Sequence, residues 1–426
     1  MALRALKARE LGEPLSNKVT LRIELKCLAH LRMQNKWTTR FVPITPATRD
    51  YIVQVSPSQD GALLAVASSN GRIEIHEPED SDSMRLSLFS SAWSRIAACT
   101  FSRSPHDTIL VAHENGNVHL YDLNTCENST ATRAFKQEAA KRHVSDILSL
   151  DKNVFAVARD DFVFLYDSRL RSSAACTAQT RVGKDAAFVG EDLELYVASQ
   201  GVISLYDRRR LRAPSKLISM ERKESPCVLR REISESGRLN MLRMLPGAPQ
   251  GHLFYHAVNG TTGHVDILGS GQEHIKVSRQ VERPPLPAPN PDDPGLQEYG
   301  TLEQSFSLQI YGTQEQSLEP SWYVRRRLGD VVRAAHGSGW IAIFPHLYKP
   351  AFEVVLFGHG SAMQSFEREM DYQASCMQTV GGTLRRIVVG GIDNQVDTLA
   401  VDTSRRPKQI RCLTSSSRWA QRWRAT

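Results

Sequence analysis

The stretch Asp107-Thr-Ile-Leu-Val-Ala-His-Glu-Asn-Gly-Asn-Val-His-Leu-Tyr-Asp122 decides the fold. Its first half is a nearly continuous apolar run, the pattern of a strand covered on both faces. Asn115-Gly116 follows, a pair suited to the positive φ angles of a two-residue hairpin turn. The second half alternates, with Val118 and Leu120 on one side, which reads as a strand with one buried face. An aromatic residue and an aspartate close the unit.

The same unit recurs. Val154-Phe-Ala-Val-Ala-Arg-Asp-Asp-Phe-Val-Phe-Leu-Tyr-Asp167 repeats it, and so does Leu195-Tyr-Val-Ala-Ser-Gln-Gly-Val-Ile-Ser-Leu-Tyr-Asp207. Upstream, Ala62-Leu-Leu-Ala-Val-Ala-Ser-Ser-Asn-Gly-Arg-Ile-Glu-Ile-His-Glu77 is a looser copy, with Ile73 and Ile75 alternating. The end positions Glu77, Asp122, Asp167 and Asp207 stand 45, 45 and 40 residues apart. That is the period of a four-stranded propeller blade. One such unit cannot bury its own faces, so neighbours must stack around an axis. Weaker units follow at 253–267, at 340–344 with 352–357, and at 384–401. Seven blades fit the length. Closure is expected to borrow a strand from residues 41–60, because a closed ring removes exposed sheet edges.

These units resemble WD repeats. The Trp-Asp that ends such a repeat is represented by Tyr121-Asp122, Tyr166-Asp167 and Tyr206-Asp207, and Tyr like Trp packs a ring while keeping a polar tip. Arg142-His143 stands where that family places Gly-His. The resemblance implies an all-β, seven-bladed WD-repeat-like propeller over residues 41–403, acting as a platform for protein partners. Two blade ends read Tyr166-Asp167-Ser168-Arg169 and Tyr206-Asp207-Arg208-Arg209. They are similar to the Trp-Asp-x-Arg box of substrate receptors for cullin-4 RING ubiquitin ligases. That resemblance implies that Arg169 and Arg209 meet the ligase's adaptor and that Asp167 and Asp207 orient them. Many WD repeats with no ligase link carry a cation at this position, where it forms only a surface ion pair.

Two segments interrupt the pattern. Residues 212–235 are charged and turn-rich, and 282–320 open with six prolines between Pro284 and Pro294, which preclude regular structure. Both read as flexible insertions; the second also has the composition of a polyproline ligand.

The ends differ from the body. Residues 1–40 hold nine Lys/Arg against three Glu, and 404–426 hold seven Lys/Arg and no acid, so with a net charge of +7 the body carries −6. This is a mildly acidic platform with basic arms. Within the first arm, residues 15–33 suit a short helix capped by Ser16, with Leu21, Leu25, Leu28 and Leu31 on one stripe. In the ligase receptors a helix ahead of the propeller inserts into the adaptor; the plainer expectation is docking on the chain's own ring. In the second arm, Arg418, Trp419, Arg422 and Trp423 are candidates for contacting nucleic acid, by phosphate neutralisation and base stacking. A solubilising tail is the plainer expectation for them.

No catalytic group, metal site or cofactor is expected. Gly381-Gly382-Thr383 lacks the Gly-Lys-Ser/Thr of a phosphate loop and reads as a blade turn, and His359 has no second ligand at metal spacing. No apolar run is long enough for a membrane helix. Seven scattered cysteines without a C-x-x-C pair favour a reducing compartment, so the cytoplasm or nucleus is expected. Glu10 and Glu13 count against a mitochondrial presequence. Two other functions fit the same features: an RNA- or ribosome-associated propeller using its basic termini, and a structural subunit of a stable multiprotein complex.

Overall fold

The computed structural model describes residues 33–40, 51–211, 227–277 and 329–401, apart from short loop stretches within them. These residues form seven four-stranded antiparallel sheets. Each unit foreseen in the sequence is the central hairpin of one sheet. In blade 2, Thr108–His113 pairs with Val118–Asp122; in blade 3, Val154–Arg159 pairs with Phe162–Asp167; in blade 4, Glu194–Ser199 pairs with Val202–Asp207. The Asn-Gly turns behave as the residue types require, with φ of 96° at Gly71 and 90° at Gly116.

The apolar core lies between sheets rather than within them. Seven clusters each join two neighbouring blades. In the cluster between blades 2 and 3, Phe135 meets Phe155 at 5.3 Å and Tyr166 at 6.0 Å, and Tyr166 stacks on Phe155 at 5.2 Å. The last cluster sets Ile52, Val55 and Leu64 of blade 1 against Cys376, Val388 and Val396 of blade 7, which completes the ring.

Four expectations change. The third strand of a blade was expected to bury one face, yet Arg72–His76 and Phe162–Asp167 are covered on both. Each blade is sandwiched by two others, so polar residues on this strand also go inside. Glu74 answers that burial by bonding Arg72 and His76 on either side of it.

The closing strand is Met33–Arg40, not a strand from 41–60. It pairs antiparallel with Gln395–Val401 and completes blade 7, so the ring begins at residue 33 rather than 41. Ile52–Pro57 is instead the first strand of blade 1. Met33 therefore starts a strand and cannot end a helix; the rest of the proposed helix, with Leu21, Leu25 and Leu28, lies outside the described residues. Within the supposed insertion 212–235, Leu229–Glu232 forms the outer strand of blade 4. The insertion 282–320 and the tail residues Arg418, Trp419, Arg422 and Trp423 lie outside the described residues, as does His359.

Candidate functional site

Because neighbouring strands are antiparallel, the turn after the first strand and the turn after the third emerge at the same end of a blade. The backbone joins them there in a repeated way. Leu123 N–H donates to the Asp107 carbonyl at 2.7 Å, Ser168 to Asn153 at 2.7 Å, Arg208 to Leu193 at 2.9 Å, and Ile267 to Gly251 at 2.9 Å. In all four blades the donor is the residue after the blade-end aspartate.

That aspartate builds the turn. Asp122 Oδ1 accepts the Asn124 amide at 3.0 Å, Asp167 Oδ1 accepts the Arg169 amide at 2.9 Å, and Asp207 Oδ1 accepts the Arg209 amide at 3.0 Å. A carboxylate that bonds its own backbone two residues on is the ordinary reason for aspartate in a turn. In blade 5 the bond falls one residue later, from Gly269 to Asp266 at 2.9 Å.

In blades 3 and 4 the same carboxylate also holds a guanidinium. Arg169 Nε and Nη2 donate to Asp167 at 3.0 and 2.7 Å, and Arg209 Nε and Nη2 donate to Asp207 at 3.1 and 2.9 Å. This is a two-point, charge-assisted fork, stronger than a neutral pair. The Arg169 guanidinium holds the Asp167 carboxyl below the usual carboxylate range, and Arg209 brings Asp207 down to about 2. Both arginine side chains remain 68% exposed. The side-on grip uses Nε and one Nη2 proton, so the end-on edge of each guanidinium faces solvent.

The run Arg208-Arg209-Arg210 splits. It forms a single 3-10 turn whose N-cap is Asp207. Arg208 turns inward, 10% exposed, and bonds Asp151 of blade 3 at 2.9 Å. Burial raises the Asp151 carboxyl, but the Arg208 hydrogen bond and the amides of Asn153 and Val154 outweigh it and leave it lowered. Arg209 and Arg210 point out. The four sequence candidates therefore share one end of two adjacent blades, while the leucines 21, 25 and 28 fall outside the described residues.

The sequence reading overlooked the apolar residues of this end. Leu170, Leu193, Val228 and Leu268 are the large hydrophobic side chains most exposed among the described residues, at 40%, 45%, 53% and 46%. Leu170 and Leu268 lie in the turns that follow Asp167 and Asp266, Leu193 in the first turn of blade 4, and Val228 beside Leu205 at the start of an outer strand. For Leu170 and Leu268, a leucine two or three places after a blade-end aspartate, beyond the end of the strand, was the available signal. The inter-blade bond from Arg103 Nη2 to the Gly190 carbonyl at 3.0 Å left no such trace.

Among the described residues no group of three or more His, Cys, Asp or Glu is placed to share a metal ion. None of their helices is long and apolar enough to cross a membrane.

No family model matches the chain, and no curated protein matches it. Solved structures share its fold. One, a chain in the crystal structure of the mitotic checkpoint complex, superposes with a TM-score of 0.59 at 10% identity, covering 87% of this chain and 93% of that one. The likeness is one of architecture: a seven-bladed β-propeller.

Proposed function

We propose that this chain is a non-catalytic protein-interaction scaffold that serves as a substrate receptor of a cullin-4 RING ubiquitin ligase, in the cytoplasm or nucleus. The observation that carries the reading is the pair of Asp-Arg forks on adjacent blades. Two guanidiniums are fixed by carboxylates, aligned by the same turn, and exposed at one end of the ring. Ordering a long side chain before binding removes a cost that association otherwise pays. The sequence of both forks is similar to the receptor box, and the propeller leaves the opposite end for a substrate protein.

The test is affinity purification of the full-length chain from cells, with mass spectrometry, comparing wild type with Arg169→Ala/Arg209→Ala. The expected result is the large cullin-4 adaptor among the wild-type partners and its loss in the variant. Wild-type protein that captures no cullin-ligase component ends the receptor reading and leaves the scaffold. A fixed-stoichiometry assembly without ligase subunits points to the structural-subunit alternative. RNA recovered in a salt-sensitive way points to the nucleic-acid alternative.

A further inference from the structure

The residue two places after the blade-end aspartate is Asn124, Arg169, Arg209 and Leu268 in blades 2 to 5. From Arg169 to Leu268 this row is exposed, and it is flanked by Leu170, Leu193 and Val228. Single exposed leucines are common on any surface, but here the four most exposed large hydrophobic residues share one end of three successive blades. The described residues of blades 3 and 4 at this end, 150–153, 167–171, 191, 193–194 and 207–211, carry six Lys/Arg against five Asp/Glu. Asp151, Asp167 and Asp207 among those carboxylates are already held by arginines. What Arg169 and Arg209 turn outward is the unused edge of each guanidinium, beside exposed aliphatic side chains.

We infer that this sector binds an acidic, leucine-bearing segment of a partner protein. Carboxylates of the segment take the open end-on edges of Arg169 and Arg209, and its aliphatic side chains cover Leu170, Leu193 and Leu268. Each guanidinium then bridges two carboxylates, its own aspartate through Nε and Nη2 and the partner's through Nη1 and Nη2. A carboxylate matches that planar edge in two bonds. Hydrogen-bond chemistry selects the occupant. The chain's own segment 404–426, with seven Lys/Arg and no Asp or Glu, offers these edges no side-chain carboxylate. The inference rests on the reading of this end as the binding end, and names chemistry that reading leaves open.

The experiment selects binders from a random peptide library on the immobilised full-length chain. The best peptide is then synthesised and its affinity measured for wild type, Arg169→Glu/Arg209→Glu and Leu170→Ser/Leu268→Ser. Expected are peptides rich in Asp, Glu and Leu, whose affinity falls about tenfold or more in each variant. The charge variant also loses the salt dependence, whereas the leucine variant keeps it. Both variants replace exposed side chains, and melting curves verify their folding; were the leucine variant to misfold, Leu268→Ser alone takes its place.

Neutral or basic winners, or peptides held equally by wild type and both variants, overturn the inference. So does a wild-type dimer, seen by light scattering, that both variants abolish, because the occupant is then a second copy. Residues 284–320 hold six Asp/Glu and no Lys/Arg. If a synthetic peptide of those residues binds the sector more tightly than any selected peptide, the occupant is the chain's own segment and the inference falls. Failure of the ligase reading is distinguishable. Acidic peptides that bind through the sector while no ligase adaptor co-purifies sink the ligase reading alone. Adaptor capture that needs Arg169 and Arg209 but neither leucine, with no acidic peptide selected, sinks the inference alone.

Discussion

Blades 2 and 3 end in the same turn and differ at one side chain. In both, an aspartate bonds the amide two residues on, and the next residue bonds back to the first turn of the blade. At the variable position blade 2 has Asn124, whose amide nitrogen reaches across to Asp107 at 2.7 Å within its own blade. Blade 3 has Arg169, which folds back on Asp167 and leaves an edge to solvent. Blade 4 repeats the arrangement of blade 3. The aspartate thus belongs to the fold in all three blades, while the residue two places on is used internally in one and displayed in two. A repeat protein keeps its architecture through the constant position and its individuality through the variable one.

That division can be tested by substitutions ranked from large effect to small. Arg169→Ala/Arg209→Ala is expected to reduce affinity for the partner at this end by about a hundredfold or more, since a central arginine is worth about 2 kcal/mol at an interface. Its melting temperature should match wild type, because both side chains are mostly exposed. A large drop in stability would mean that the forks brace the ring.

The aspartates should behave oppositely. Asp122→Ala and Asp167→Ala are each expected to destabilise by about 1 kcal/mol through loss of a turn hydrogen bond, and Asp207→Ala to destabilise in the same direction, read by thermal or urea unfolding. If Asp122→Ala is neutral while the other two are not, the arginines rather than the turn carry the stability, and the comparison breaks. Asp151→Ala removes the acceptor of the Asn153 and Val154 amides together with the partner of the inward-turned Arg208, so it is expected to cost more than any one of these.

Asn124→Arg sharpens the same point. It should add little binding, because its neighbours Leu123 and Thr125 do not reproduce the Leu170 or Arg210 that follow the arginines of blades 3 and 4. A gain comparable to the loss in the double alanine variant would show that one arginine per turn is sufficient.

Acid tests a different part of the ring. His256 is buried against Phe344 at 4.3 Å, and burial pushes its imidazole down to about 3. Its folded value lies below the unfolded value of about 6.5, so the unfolded chain takes up the proton first as pH falls. This contribution is whole above about pH 6.5 and is lost as pH drops towards 3. Melting of His256→Phe should therefore depend less on pH between those values than melting of wild type, and equal slopes would refute the assignment.

The sequence carried the central hairpins because each combines a doubly buried strand, a turn with positive-φ residues and a closing aromatic-aspartate pair. It carried the outer strands poorly. Met33–Arg40 reads Met-Gln-Asn-Lys-Trp-Thr-Thr-Arg and Leu229–Glu232 reads Leu-Arg-Arg-Glu. An outer strand has one neighbour in its sheet, and Leu229–Glu232 alternates between half-buried and exposed, so its composition matches that of a loop. Only pairing with a remote partner, residue 33 with residue 401, defines the first of them. The forks were legible as a spacing of Asp and Arg. The inward turn of Arg208 was not, because three consecutive arginines look alike until the backbone gives each a direction.

The closing strand has a mechanical consequence. Met33 pairs with Val401, and the two strands run antiparallel from that point to Arg40 with Gln395. The chain therefore comes into the ring and leaves it at the same end of one strand pair. Tension applied between residue 33 and residue 401 loads these hydrogen bonds one after another, as in unzipping, instead of shearing all of them together. Pulled by its two ends, the ring is expected to open at blade 7 under low force. Held by any two of its other blades, it resists as a closed circle.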